Sequence, residues 1–211
     1  MTAVQHPVFA RFYTHLATAM ERVGADDLRR ELLDGAAGRV LEVGAGAGTN
    51  FAHLPPSVDE VVAVEPEPYL RAQASRAAEG VAVPVTVVDG AADRLPAQDA
   101  SVDTVVCSLV LCTVPDPAAA LAEVHRVLRP GGRLLLWEHV RADGGPLARV
   151  QEALDRTVWP TIGGGCHTAR DTVATVEAAG FPVERLRRFR WPQTRVPAPT
   201  SPMVLGTAVR R

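Results

Sequence analysis

Five short runs of mainly β-branched and aliphatic residues recur along the first two thirds of the chain. They span residues 39–43, 60–64, 83–89, 104–108 and 133–137. Their length and almost continuous apolar character are typical of strands in a parallel sheet that is buried on both faces. Between them lie alanine- and leucine-rich segments with helical spacing, among them 68–79 and 117–128. This alternation predicts a doubly wound α/β sheet with helices on both faces.

Other patterns flank these five runs. Residues 7–33 carry apolar positions at helical spacing and predict one or two amphipathic helices. After the fifth run, 146–158 and 169–179 predict helices, and 183–191 and 204–210 predict two closing strands. We therefore expect one domain over residues 1–211, built from a helical cap (1–34), a core (35–140), further helices and a loop (141–182) and closing strands (183–211).

Composition excludes several kinds of chemistry and partner. All 22 basic residues are arginines, and without a lysine the chain has no Schiff base, pyridoxal anchor or lysine-containing phosphate loop. A net charge of −2 gives no general attraction to nucleic acid, and the basic run 185–191 is expected to be a solvated strand edge. Three cysteines, no signal peptide and no long apolar segment predict a cytoplasmic protein without a membrane partner. The oligomeric state stays open.

A glycine-rich turn follows the first predicted strand. Residues 42–50 read Glu-Val-Gly-Ala-Gly-Ala-Gly-Thr-Asn. Alternate glycines let the backbone turn tightly and approach a ligand without a Cβ in the way. The dinucleotide fingerprint G-x-G-x-x-G needs glycine or alanine at position 49, where this chain has Thr49. The turn therefore predicts a site for a smaller zwitterion, an amino acid joined to a nucleoside.

An acidic residue, Glu65, stands at the end of the second predicted strand. A carboxylate at that place can accept hydrogen bonds from both hydroxyl groups of a ribose. The glycine turn and Glu65 both fall where parallel strands end, which is the edge at which such sheets bind ligands. The alternative is a plain strand–helix turn beside a solvated charge.

These residues, with several further segments, resemble the class I S-adenosylmethionine-dependent methyltransferases that carry a type 11 methyltransferase domain. The matching segments are 41–48, 64–66, 90–96, 101–103 and 128–132. The resemblance implies a Rossmann-like methyltransferase fold, a mostly parallel seven-stranded sheet whose last strand is antiparallel. It also implies S-adenosylmethionine as cofactor and S-adenosylhomocysteine as its product, with 35–140 as the cofactor-binding core.

The resemblance further implies which residues contact the cofactor. They are Glu42, Gly44, Ala45, Gly46, Gly48, Asn50, Glu65, Pro66, Leu70, Ala91, Ala92 and Ser108. Family members often carry an acid or amide at the position of Ala91, where it accepts a hydrogen bond from the adenine amino group. Ala91 cannot do this through its side chain, so Asp89, Asp93 or the backbone of 91–92 is expected to read the adenine.

A narrower resemblance extends beyond the predicted sheet. Residues 106–114, 137–140 and 159–172 are similar to the small thiol methyltransferases, including membrane-associated alkyl-thiol methyltransferases of animals. The animal enzymes carry an N-terminal membrane anchor, which we expect this chain to lack. The resemblance implies a small, fairly apolar methyl acceptor with a thiol as favoured nucleophile. An O- or C-methyltransferase of a phenolic, quinone or polyketide metabolite and a non-catalytic S-adenosylmethionine-binding protein remain alternatives.

Methyl transfer from a sulfonium asks mainly for alignment and exclusion of water. His139, beside Glu138 after the fifth predicted strand, is the candidate base, and a structural histidine is the alternative. Tyr13 and His6 are further catalytic candidates, because the N-terminal helix of related methyltransferases folds over the cofactor. The candidate substrate contacts are Leu109, Cys112, Cys166 and His167. No metal is expected, because adjacent residues such as 166–167 rarely ligate one ion alone and no other Cys/His pair has zinc-like spacing.

Overall fold

The computed structural model describes residues 10–11 and 20–211. Seven strands form one sheet. They are β1 (Gly38–Val43), β2 (Val58–Val64), β3 (Val85–Val88), β4 (Val102–Ser108), β5 (Leu128–His139), β6 (Val183–Arg190) and β7 (Pro202–Val209). Their order across the sheet is β3-β2-β1-β4-β5-β7-β6. Strands β1 to β5 pair in parallel, while β7 runs antiparallel to both β5 and β6. The predicted fold, a mostly parallel seven-stranded sheet with an antiparallel last strand, is confirmed.

Six α-helices, beside a short 3₁₀ helix at Phe51–His53, lie wholly within the described residues and accompany the sheet. They are α1 (Ala25–Leu33), α2 (Pro68–Ala78), α3 (Pro117–Val127), α4 (Gly145–Asp155), α5 (Trp159–Ile162) and α6 (Thr172–Ala178). Helix α3 begins as its sequence predicts, because Asp116 accepts hydrogen bonds from Ala118 N and Ala119 N and Pro117 occupies the first turn. Within the described part of the chain, no helix combines the length and the apolarity that a membrane crossing requires.

Side chains alternate between two hydrophobic clusters, one on each face of the sheet. On β1, Leu41 and Val43 belong to the cluster that packs against α3 and α6, whereas Val40 belongs to the cluster that packs against α1 and α2. Trp137 on β5 is the largest fully buried side chain, and its ring meets that of Trp191 edge-on at 5.6 Å. This coverage explains the nearly continuous apolar runs in the strands.

The strands β3 and β5 differ most in length from their sequence patterns, and the other strands differ by one or two residues. The third predicted strand, 83–89, is shorter and spans Val85–Val88, while the fifth, 133–137, extends to Leu128–His139. The extension arises because Leu128 pairs with Val102 and because β7 continues to pair with β5 as far as His139. The basic run 185–191 lies along the outer strand β6, as predicted, so its arginines face solvent.

The order of the strands reverses between β1 and β4. In a sheet of this kind a crevice opens beyond the carboxyl ends of the strands at such a reversal, and ligands bind there. The glycine turn after β1 and the loops after β2, β4 and β5 all begin at this edge. The fold therefore brings the segments that the sequence singled out to one place.

Candidate functional site

The loop after β1 adopts a conformation that requires glycine. Gly44, Gly46 and Gly48 have φ angles of 64°, 57° and 78°. A Cβ on Gly44 would lie 2.5 Å from Cγ2 of Val110, and one on Gly48 would lie 2.6 Å from Cε2 of Phe51. All three glycines thus have left-handed backbone, and at Gly44 and Gly48 a neighbouring side chain occupies the space that a Cβ would need.

The Glu65 carboxylate lies against this loop. Its Oε2 accepts a hydrogen bond from Gly46 N at 2.7 Å, and its Oε1 accepts one from Glu67 N at 2.9 Å. The side chain is buried, and burial raises the pKa of Glu65 although both N–H groups favour the charged form. Backbone donors therefore hold the carboxylate in place at the end of β2.

A series of hydrogen bonds between buried polar side chains connects the glycine loop to helix α1. Asn50 Nδ2 donates to Glu42 Oε1 at 2.7 Å, and Arg29 Nη1 donates to Asn50 Oδ1 at 2.8 Å. Arg29 also contacts Glu21 Oε1 at 3.1 Å, and its guanidinium lies 5.3 Å from the ring centre of Trp137. Burial raises the pKa of Glu42 to about 7. These hydrogen bonds fix the end of the glycine loop to helix α1.

The segment expected near the adenine lies after β3. Ala91 bridges to Arg94, and the neighbouring Asp89 carboxylate accepts a hydrogen bond from Arg71 Nη1 at 3.1 Å. The same Arg71 nitrogen donates to the carbonyls of Glu65 and Pro66. Arg71 thus ties the loop after β3 to the loop after β2, and adenine reading by Asp89, Asp93 or the backbone remains a prediction.

A carboxylate on β5 organises the loop after β4. Ser108 ends β4, and Leu109 follows with a φ of 59°, in the left-handed region that non-glycine residues rarely occupy. Glu138 is fully buried, and it accepts hydrogen bonds from Val110 N at 2.9 Å, Leu111 N at 2.8 Å and Cys112 N at 3.1 Å. This loop lies next to the glycine loop after β1, since Val110 is the side chain nearest to Gly44.

Two cysteines and a histidine converge beside this loop. The Nδ1 atom of His139, the last residue of β5, lies 3.6 Å from Cys112 Sγ and 3.6 Å from Cys166 Sγ. All three atoms lie within 4.8 Å of one another, and both thiols are buried. Hydrogen bonding between the thiols lowers the pKa of Cys166 and raises that of Cys112. We call these three residues the Cys–His cluster.

A partly buried carboxylate, that of Asp155, positions the loop that carries Cys166. Asp155, at the end of α4, accepts hydrogen bonds from Thr168 N at 2.8 Å, Thr168 Oγ1 at 3.1 Å and Ala169 N at 2.9 Å. His167 N donates to the carbonyl of Cys112 at 2.7 Å, which joins this loop to the loop after β4. Arg170 Nη1 adds bonds to the carbonyls of residues 111 and 114.

The structure brings most of the predicted site residues to this edge. The glycine loop, Glu42, Asn50, Glu65 and the Cys–His cluster lie in or beside the segments that follow β1, β2, β4 and β5, and Pro66 and Leu70 follow β2 at the start of α2. The His167 ring lies outside the cluster, with its Nδ1 3.8 Å from Asp155 Oδ2, and Leu109 packs towards the α1 face of the sheet. His6 and Tyr13 lie outside the described residues.

Sequence reasoning missed five polar residues that hold the site together, namely Arg29, Arg71, Glu138 as a loop anchor, Asp155 and Arg170. The anchoring role of Glu138 could have been predicted from the sequence, because a buried carboxylate inside an otherwise apolar strand must accept hydrogen bonds from nearby donors. The remaining four stand among other charged residues in helical or loop segments, where nothing local marks them as buried partners.

Comparisons with known proteins agree with this geometry. A family model described as a methyltransferase domain matches residues 41–136. The human thiol S-methyltransferase TMT1B is 37% identical over 183 residues, covering 84% of this chain and 74% of the human protein. The mouse TMT1B is 34% identical over 94% of this chain and 85% of its own length.

A solved structure of an S-adenosylmethionine-dependent methyltransferase from Thermotoga maritima has the same fold. It superposes with a TM-score of 0.69 at 21% identity, covering 97% of this chain and 98% of that protein. The glycine loop and the Glu65 carboxylate beside it fit S-adenosylmethionine, the methyl donor of this class of enzymes. The chain therefore belongs to the S-adenosylmethionine-dependent methyltransferases, enzymes that use S-adenosylmethionine as methyl donor.

Proposed function

We propose that this enzyme methylates the sulfur atom of a small, fairly apolar thiol. The observation that carries the proposal is the similarity to TMT1B, a thiol S-methyltransferase, over 84% of the chain. The geometry supports it, because the Cys–His cluster brings two buried sulfur atoms and one imidazole together at the carboxyl edge of the sheet.

The chemistry requires little from the chain. Bound S-adenosylmethionine supplies an electrophilic methyl group on a sulfonium, and the protein must align the acceptor with it and exclude water. A thiol with a pKa of about 8.5 is already a few per cent thiolate at neutral pH. A phenol, with a pKa of about 10, would need a stronger base. A site with one histidine and no lysine suits the thiol better.

Each part of the site has a role in the proposal. The glycine loop receives the amino-acid portion of the cofactor, and Glu65 accepts the ribose hydroxyl groups. His139 favours the ionised form of the acceptor thiol, and the two sulfur atoms 3.6 Å from its Nδ1, those of Cys112 and Cys166, line the acceptor position beside it. Tyr13 and His6 are proposed to close over the cofactor from the N-terminal segment.

Turnover with trideuteromethyl S-adenosylmethionine tests the proposal. Purified protein is incubated with matched alkyl thiols, aryl thiols, phenols and quinols, and the labelled product is identified by mass spectrometry. We expect label on the sulfur of thiols and little on oxygen. Turnover on phenols alone would contradict the thiol acceptor, and tight cofactor binding without any turnover would contradict catalysis.

Substitution of His139 tests its role. His139→Ala is expected to lower kcat/KM for thiols by about a hundredfold, the low end of the range for acid–base groups, and to leave the affinity for S-adenosylhomocysteine nearly unchanged. His125→Gln is the matched control, since His125 packs against Phe181 on the far side of α3 and takes no part in the site.

A further inference from the structure

The Cys–His cluster has a property that methyl transfer alone does not explain. Cys112 comes from the loop after β4, His139 from the end of β5 and Cys166 from the loop after α5, yet their ligating atoms face one another. Thiolate and imidazole are the ligands that zinc prefers in proteins. The three groups come from separate elements and converge on one point, as the ligands of a zinc site do.

The spacing agrees with tetrahedral coordination. Zinc bonds of about 2.3 Å to sulfur and about 2.0–2.1 Å to nitrogen, at the tetrahedral angle, separate sulfur from nitrogen by about 3.5 Å. The two observed distances from His139 Nδ1 to the sulfur atoms are both 3.6 Å. The same geometry places two sulfur ligands about 3.8 Å apart. The three atoms lie within 4.8 Å of one another, so a metal ion fits between them with small side-chain movements.

We propose that Cys112, His139 and Cys166 form a zinc site with three protein ligands and an open fourth position. Two thiolates and a neutral imidazole give a neutral complex with Zn²⁺, which suits a site where both cysteines are buried. Three protein ligands with one free position are the pattern of catalytic zinc, whereas structural zinc is closed by four. This proposal departs from the sequence expectation of no metal, which considered only spacing along the chain.

Neighbouring groups hold the proposed ligands in place through hydrogen bonds, as the groups around metal ligands generally do. Glu138 fixes the backbone N–H of Cys112, and Asp155 fixes the loop that carries Cys166. Thr113 Oγ1 lies 3.6 Å from Cys112 Sγ. The indole Nε1 of Trp159, on α5 just before the loop that carries Cys166, is buried and has no hydrogen-bond acceptor among the described residues.

The open position gives the metal a role that rests on the proposed thiol methylation. The acceptor thiol, R–SH, binds to zinc through sulfur and releases its proton to solvent, so that it is present as a thiolate at neutral pH. The electron pair of that sulfur forms the new S–CH₃ bond while the bond from the methyl carbon to the sulfonium breaks. The products are the thioether R–S–CH₃ and S-adenosylhomocysteine, and the neutral thioether is a weaker ligand that leaves.

Metal content provides the first test. Protein purified without chelators is dialysed and analysed for zinc by mass spectrometry, alongside Cys112→Ser, Cys166→Ser and the matched control Cys107→Ala. Cys107 is a buried cysteine on β4 outside the cluster. We expect equimolar zinc in the wild type and in the control, and more than about a hundredfold loss of affinity in both serine variants. Zinc-free wild type, or equal zinc in all four proteins, would overturn the site.

Cobalt spectroscopy on the wild type keeps the test decisive if a serine variant does not fold. Addition of Co²⁺ to chelator-treated protein should produce a thiolate-to-metal charge-transfer band and the intense visible bands of tetrahedral cobalt. A small alkyl thiol should shift those bands by entering the fourth position. A spectrum of octahedral cobalt without charge transfer would refute ligation by the cysteines.

The two proposals can fail separately. Zinc-free protein that methylates thiols with unchanged kcat/KM would remove the metal from the mechanism and leave the thiol acceptor standing. Zinc bound through Cys112 and Cys166, with methylation of phenols only, would leave the metal site standing and remove the thiol acceptor.

Discussion

The buried carboxyl group of Glu42 should make the stability of the cofactor-free protein fall as pH rises. Burial raises the pKa of Glu42 from 4.5 to about 7, even though Asn50 donates a hydrogen bond to the carboxylate. The folded protein therefore holds a proton on Glu42 at pH values where the unfolded chain has released it. Between pH 4.5 and pH 7 the folded state binds more protons than the unfolded state, so the free energy of unfolding decreases.

The size of this effect follows from the shift in pKa. A change from 4.5 to about 7 corresponds to about 3 kcal/mol, since each unit of pKa is worth about 1.4 kcal/mol. The contribution is fully present below pH 4.5 and fully lost above pH 7. Glu42→Gln mimics the protonated carboxyl group and should abolish this part of the pH dependence.

Urea unfolding at a series of pH values from 4.5 to 8 measures the effect. The difference in unfolding free energy between Glu42→Gln and the wild type should increase by about 3 kcal/mol over this range in favour of the variant. Glu60→Gln, which removes an exposed carboxylate paired with Arg39, controls for the loss of one negative charge. A constant difference between Glu42→Gln and the wild type across the series would refute the reasoning.

Three further predictions concern the crevice. Glu65→Ala should weaken binding of S-adenosylhomocysteine by about 1.5–3 kcal/mol, the range for charge-assisted hydrogen bonds, and calorimetry that shows an unchanged Kd would remove Glu65 from the site. Glu138→Ala leaves three buried N–H groups without an acceptor and should lower the unfolding free energy by about 3–6 kcal/mol. Glu138→Gln keeps one carbonyl oxygen and should recover part of that loss. Equal losses in the two variants, measured by urea unfolding, would contradict the role of the acceptor. Gly44→Ala should reduce cofactor affinity more than Gly131→Ala, because its Cβ would collide with Val110 whereas that of Gly131 meets open space; equal affinities measured by equilibrium dialysis would count against the close approach.

The core of the fold was readable from the sequence because each strand is buried on both faces. Such strands appear as short apolar runs, and the helices between them carry a stripe at helical spacing. The glycine turn and Glu65 were readable for a related reason, since a turn with alternate glycines and an acid at a strand end are both local patterns. Strand ends were less readable, because pairing with a distant strand decides whether Leu128 or His139 extends β5.

Local sequence patterns could not predict the Cys–His cluster. His139 is 27 residues from Cys112 and 27 residues from Cys166, so no spacing rule for metal ligands applies to the three. They meet because β4 and β5 are adjacent strands and because two carboxylates, those of Glu138 and Asp155, hold the following loops in place. Each of these causes is a contact between distant parts of the chain, which becomes visible only in three dimensions.

The reversal of strand order between β1 and β4 has a consequence for how this enzyme can diversify. The loops after β1, β2 and β3 lie on one side of the reversal, and the loops after β4 and β5 lie on the other. Under the proposed assignment of the first set to the methyl donor and the second to the acceptor, substitutions in the second set should alter the choice of acceptor and leave the donor site intact. Exchange of residues 159–170 between relatives should then move acceptor preference from one enzyme to another without changing the affinity for S-adenosylmethionine.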